Sequence, residues 1–241
     1  MITLRNGFLA VCAIAIMALC VPAVKADVFH LTGNNSDGNP FDVTATVSQS
    51  GSQITVVLTN NIGNQLAINQ SISGFQFHVT GFSGQASSAF SGSGRSANYS
   101  GSGQVWNDVG TSGADPLDWV ISSPSAGTFK LLTDFPQGTI AGVATSTTST
   151  TVTYANANSS LKADPHQAII VQSGTFVFTV TGLPAGAHFD GISFFLGTGP
   201  QQVNCISCGV TQTPEPASMM LLGTGLIGIA AGIRRRLRRK N

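Results

Sequence analysis

The chain has 241 residues, a formal net charge of +1 and only 9% charged residues. Outside its two ends it lacks the clustered Lys and Arg that phosphate binding needs, which excludes nucleic acid or another polyanion as partner. It is also poor in Glu, Lys and Arg and rich in Ser, Thr, Gly, Asn and Val, a composition that disfavours helices and favours strands and turns.

At the N-terminus, Arg5 supplies a positive start, Phe8 to Val21 is apolar, and Val24-Lys25-Ala26 precedes a cleavage point ahead of Asp27. This predicts a secretory signal peptide over residues 1–26. Leu19 precedes Cys20 and Val11 precedes Cys12, so neither cysteine has the small residue before it that lipid attachment requires. Both would leave with the signal.

The body, residues 27–212, carries three basic residues (Arg95, Lys130, Lys162) against nine aspartates, a net charge of −6. Its 186 residues suffice to bury a core in one domain. Phe41, Val43, Ala45 and Val47 alternate with polar residues, and after Ser50-Gly51-Ser52 the alternation resumes at Ile54, Val56 and Leu58, which predicts a hairpin. Phe75, Phe77 and Val79 repeat the pattern, as do Phe176, Phe178 and Val180. Further strands are expected around Leu117 to Ile121, Phe129 to Leu132, Thr139 to Val143, Thr151 to Tyr154, Gln167 to Val171 and Gly191 to Leu196. No segment of the body shows an apolar period of 3.6. Roughly eight to eleven short strands predict an all-β fold, an antiparallel β-sandwich or jelly roll. Gly81 to Ala114, rich in Gly and Ser, breaks the rhythm and reads as a long loop.

Few residues of the body carry chemistry. Asn34, Asp37, Asn39 and Asp42 gather oxygen ligands around Gly38, as a calcium ion would want, although Asn/Asp/Gly clusters also form plain turns. Tyr99 and Trp106, set in the Gly/Ser-rich stretch, could offer a flat apolar platform to sugar rings, whereas Trp119 alternates with Leu117 and Ile121 and reads as core. His30, His78, His166 and His188 are scattered singly, with no HxH or HExxH spacing. No Gly-x-Ser-x-Gly elbow is present, and no pair of carboxylates can be assigned from sequence. No cofactor is implied and no catalytic residue is expected. Cys205-Ile-Ser-Cys208 has CxxC spacing without the strand and helix context of a thioredoxin motif or two further zinc ligands, and in an oxidising envelope it reads as a local disulfide.

The last 29 residues are the most specific. Thr213-Pro214-Glu215-Pro216-Ala217-Ser218 leads into 17 residues without charge, Ala217 to Ile233. As a helix these reach about 25 Å, a short membrane span. Gly228 and Gly232 give a GxxxG spacing suited to close helix approach. Arg234, Arg235, Arg236, Arg238, Arg239 and Lys240 follow and would stop transfer with the tail in the cytoplasm and the body outside.

This tail resembles the sorting signal of the bacterial PEP-CTERM family. Thr213 stands where many members carry Val. The resemblance implies that Pro214, Glu215 and Pro216 are recognised by a membrane-embedded exosortase, with the helix holding the chain transiently in the inner membrane. It further implies delivery to the cell surface or extracellular matrix as a structural or adhesive component, in an exopolysaccharide or biofilm setting. Phe176 to Leu196, with Thr179-Val-Thr-Gly-Leu-Pro184, is similar to β-sandwich bodies that recur in such proteins. The alternative reading of the body is a carbohydrate-binding module of the envelope.

Overall fold

In the computed structural model, residues 25–112, 118–133, 138–162, 168–198, 201–204 and 211–212 are described. They form fifteen strands: β1 Lys25–Asn34, β2 Pro40–Ser50, β3 Gln53–Asn60, β4 Ile72–Val79, β5 Ala86–Tyr99, β6 Val105–Ser112, β7 Trp119–Ser125, β8 Thr128–Thr133, β9 Ile140–Ala141, β10 Ser146–Thr147, β11 Thr151–Thr153, β12 Ile169–Val180, β13 Phe189–Leu196, β14 Gln201–Asn204 and β15 Thr211–Gln212. A 3-10 turn spans Ile68–Gln70, and one turn of α-helix, α1, spans Ser159–Lys162. The fold is all-β, with more strands than the eight to eleven expected, because several two- and three-residue ladders carry no periodic signal.

Pairing follows from alternation. In β2 and β3 every second side chain is buried, and their antiparallel register runs from Val43↔Asn60 to Ser50↔Gln53. That register leaves a two-residue loop, and Gly51 at its first position takes φ +59°, a backbone that L side chains rarely adopt. One strand path runs β10-β11-β6-β5-β12-β3-β2-β1-β15. A second group holds β4 between β13 and β8, with β14 beyond β13 and β7 beyond β8. Two-residue β9 joins the groups, parallel to β12 and antiparallel to β4.

Aromatic side chains of both groups meet in one core. Trp119 of β7 lies 4.5 Å from Phe176 of β12, and Phe77 of β4 lies 6.3 Å from Phe178, ring centroid to centroid. Phe75, Phe129, Phe189 and Phe194 fill the same cluster. Glycine makes room where rings lie flat. At Gly74 of β4 a Cβ would come 2.9 Å from the Leu131 carbonyl oxygen, and at Gly174 of β12 it would press on the Phe176 ring at 3.1 Å. A smaller cluster gathers Trp106, Tyr154, Val152, Ala97, Leu161 and Ile169.

Two expectations are corrected. Gly81 to Ala114 is no long loop: β5 and β6 pair antiparallel across a turn at 100–104, and β5 also pairs with β12. Ser and Gly have weak strand preference of their own, and a partnered edge overrides it. The strands expected separately at Gln167 to Val171 and Phe176 to Val180 are one strand, β12. Gln172, at φ 63°, sits within an irregularity that shifts the register to β5 between Ile170 and Gly174.

The unit Ala26–Gln212 is compact by itself. Its ends pair with one another, Asp27↔Gln212 and Val28↔Thr211. Among the described residues no helix is long and apolar enough to cross a membrane. The expected signal peptide before Lys25, the disulfide pair Cys205 and Cys208, His166, the sorting motif, the span 217–233 and the basic tail lie outside the described residues.

Candidate functional site

The loop between β1 and β2 is organised by Asn35. Its side-chain oxygen accepts from the backbone N–H groups of Asp37 and Asn39, at 3.1 and 3.0 Å, while its amide donates to the Asn69 carbonyl. Such side-chain to backbone bonds define a local turn. Asp37 is bonded by the Asn69 amide, as Asn39 bonds the Asn69 side chain. Asp42 faces elsewhere, 2.8 Å from His30 Nε2 and 3.0 Å from Asn61 Nδ2. Of the four residues expected to share a calcium ion, Asp37 and Asp42 thus turn their carboxylates to separate partners, and Asn34 is an exposed strand end. Among the described residues no group of three or more His, Cys, Asp or Glu is placed to hold a metal.

Trp106 is also corrected. It is 1% exposed, its ring 5.1 Å from Tyr154 and edge-on to it, and 5.4 Å from half-buried Tyr99. The Tyr99 hydroxyl donates to the Gly103 carbonyl in the β5–β6 turn. A wholly enclosed indole offers no face to a sugar; Trp106 is buried in one cluster with Val152, Tyr154 and Leu161. Burial pushes the Tyr154 phenol well above its ordinary value, and its hydroxyl donates to the Gly142 carbonyl. Trp119 is core, as its alternation suggests, with its indole N–H on the Gly138 carbonyl.

Two ion-pair clusters have no local sequence signal. His78 Nδ1 lies 2.8 Å from Asp190 Oδ1, and the Thr80 hydroxyl donates to Asp190 Oδ2 at 2.6 Å. Burial raises the Asp190 carboxyl, but the bonds from Thr80 and His78 outweigh it and hold the group below the usual carboxylate range. His188, 4.0 Å from buried Asp27, lies near the same group. On β5 and β6, Arg95 donates twice to Asp108 Oδ2, at 3.1 and 2.6 Å, and once to the Thr148 carbonyl. The Arg95 bond, helped by the Gly110 N–H, lowers the Asp108 carboxyl. Partners 112 residues apart, as His78 and Asp190 are, meet only through the β4–β13 register.

Residues 212–236 match the family model described as the PEP-CTERM protein-sorting motif. The chain therefore carries this sorting motif, which indicates an exported protein, transiently anchored through its C-terminal end, with an exosortase-type processing partner. The match begins at Gln212, the residue that pairs with Asp27. No curated protein matches the chain. A solved structure, the KRT10-binding region domain of the pneumococcal serine rich repeat protein PsrP, is similar at 14% identity over 77% of this chain and 90% of that one, with a TM-score of 0.25. A likeness at that level carries no argument.

Proposed function

We propose that this chain is a non-enzymatic component of the bacterial cell surface or extracellular matrix, structural or adhesive in an exopolysaccharide setting. The observation that carries the reading is the sorting motif at residues 212–236. In this reading residues 1–26 are a signal peptide, 27–212 an exported β-sandwich and 213–241 the sorting signal. The two strand groups and their shared aromatic core support the sandwich. Pro214, Glu215 and Pro216 are the recognition element. The uncharged stretch 217–233 is the transient inner-membrane anchor, and the six basic residues from Arg234 to Lys240 hold its end in the cytoplasm. Cys205 and Cys208 form a local disulfide once exported.

The deciding experiment is the intact mass of the protein recovered from the surface of its host. A mass running from Asp27 to the Pro-Glu-Pro region, with or without added glycan, supports both cleavages. A mass that retains residues 219–241 makes the helix a permanent anchor and refutes the sorting account.

A further inference from the structure

The expected signal cleavage falls inside a strand. β1 spans Lys25–Asn34, so Lys25 and Ala26, the last residues of the signal, already belong to it. No linker separates the Ala26–Asp27 bond from the folded body. Asp27 is fully buried, and its carboxylate lies 4.0 Å from Nδ1 of His188, just ahead of β13. β1 runs between β2 and β15, and β15 pairs with the two residues that follow the bond, Gln212 with Asp27 and Thr211 with Val28.

A hydrolytic enzyme binds the segment it cuts in extended form, its own backbone standing where a neighbouring strand would. At residues 27 and 28 that edge is filled by β15. Cutting the folded chain therefore needs β15 to leave β1 and Asp27 to come out of its enclosure, and it proceeds only through the opened fraction of molecules. The covering groups on β2, at His188 and on β15 all lie later in the chain than the bond. A signal at the N-terminus leads the chain out, so the bond emerges bare and is covered as they follow. β15, the last strand among the described residues, completes the cover.

We propose that hydrolysis of the Ala26–Asp27 bond must precede the closing of β15 onto β1, and that a chain which folds first keeps its signal. Water breaks the bond, leaving a carboxylate on Ala26 and an α-ammonium group on Asp27, so the step needs no co-reactant beyond the hydrolase. The inference rests on reading residues 1–26 as a signal peptide and adds a time limit that the fold imposes. A copy that misses the limit stays fixed by its N-terminus even when its sorting motif is processed.

The full chain is tested in its host with a reversible inhibitor of signal hydrolysis. Chains labelled during the block are followed after washout, beside chains made after it. The labelled chains should persist at precursor mass with a half-life roughly ten times that of new chains, or longer. Thr211→Pro with Gln212→Pro removes two backbone N–H groups from β15, so labelled chains of this variant should be cut after washout. Trypsin gives a second reading on purified precursor: the Lys25–Ala26 bond of the parent should be cut about tenfold more slowly than that of the proline pair, with buried Trp119 emission showing both folded. Prompt cutting of labelled parent chains after washout would overturn the proposal, as would a proline pair cut no faster than the parent by either enzyme. The N-terminal sequence of protein exported without inhibitor separates the two readings: a start other than Asp27 refutes the signal assignment, whereas a start at Asp27 with unprotected bonds refutes the time limit alone.

Discussion

Replacing Trp106 with alanine separates the two roles this residue could have. As a surface platform it would contribute to ligand binding and little to folding. In the structure it is 1% exposed and wedged between Tyr99 and Tyr154 in a cluster that also holds Val152, Leu161 and Ile169. Truncating a buried Trp costs about 3–5 kcal/mol in transfer and cavity terms. The two aromatic contacts belong to that total and are not added to it. For a body of this size each kcal/mol moves the melting temperature by about 2–4 °C, so Trp106→Ala should lower it by roughly 6–20 °C. The chain has two tryptophans, so the variant leaves Trp119 as sole reporter of the main core. Its fluorescence should keep a buried-indole emission below the transition and lose it cooperatively at the lowered temperature. A variant that melts within about 2 °C of the parent would refute the enclosed indole and restore the surface platform.

Gly74→Ala places a Cβ 2.9 Å from the Leu131 carbonyl oxygen, a backbone atom that cannot swing aside, and should destabilise by about 1–3 kcal/mol in urea titration. Gln49 is buried, donates to the Gly51 and Pro184 carbonyls and accepts from the Ala187 N–H, so Gln49→Leu strands those groups and should cost about 2 kcal/mol or more by the same titration. Asp108 has a lowered pKa, so its contribution is complete above the unfolded value of about 3.9 and is lost as pH falls through the folded value. Melting temperature measured from pH 6 downward should therefore drop less steeply below about pH 4 in Asp108→Asn than in the parent, and parallel curves would count against the Arg95 pair. Removing residues 214–241 should move the body from the membrane to the soluble periplasmic fraction, and a truncated chain that still sediments with membrane would show that the tail is no anchor.

The hairpin of β2 and β3 was readable because strict alternation and Gly51 state both the faces and the turn within twenty residues. The strand cores at Phe75, Phe129 and Phe176 were readable from the same alternation, whereas Ile192 to Leu196 of β13 is a continuous buried run. Strands β5 and β6 were not. Ser91-Gly-Ser-Gly94 has neither β-branched nor aromatic side chains, and its strand state rests on pairing with β12, whose residues lie more than seventy positions away. Gly92 stands opposite Phe176 in that register, and Phe90 stacks on Phe176 at 6.2 Å. The sequence displays this buried register position only as loop-like composition.

Trp106 and Trp119 show why candidate sites were harder. Both alternate with smaller neighbours and both are buried, but Trp119 sits among apolar residues that announce a core, whereas Trp106 sits among Asn, Asp and Gly and is enclosed by a segment fifty residues later. The sorting motif lies at the other extreme: recognition, span and charge occur in order along one stretch, so its signal needs no tertiary structure.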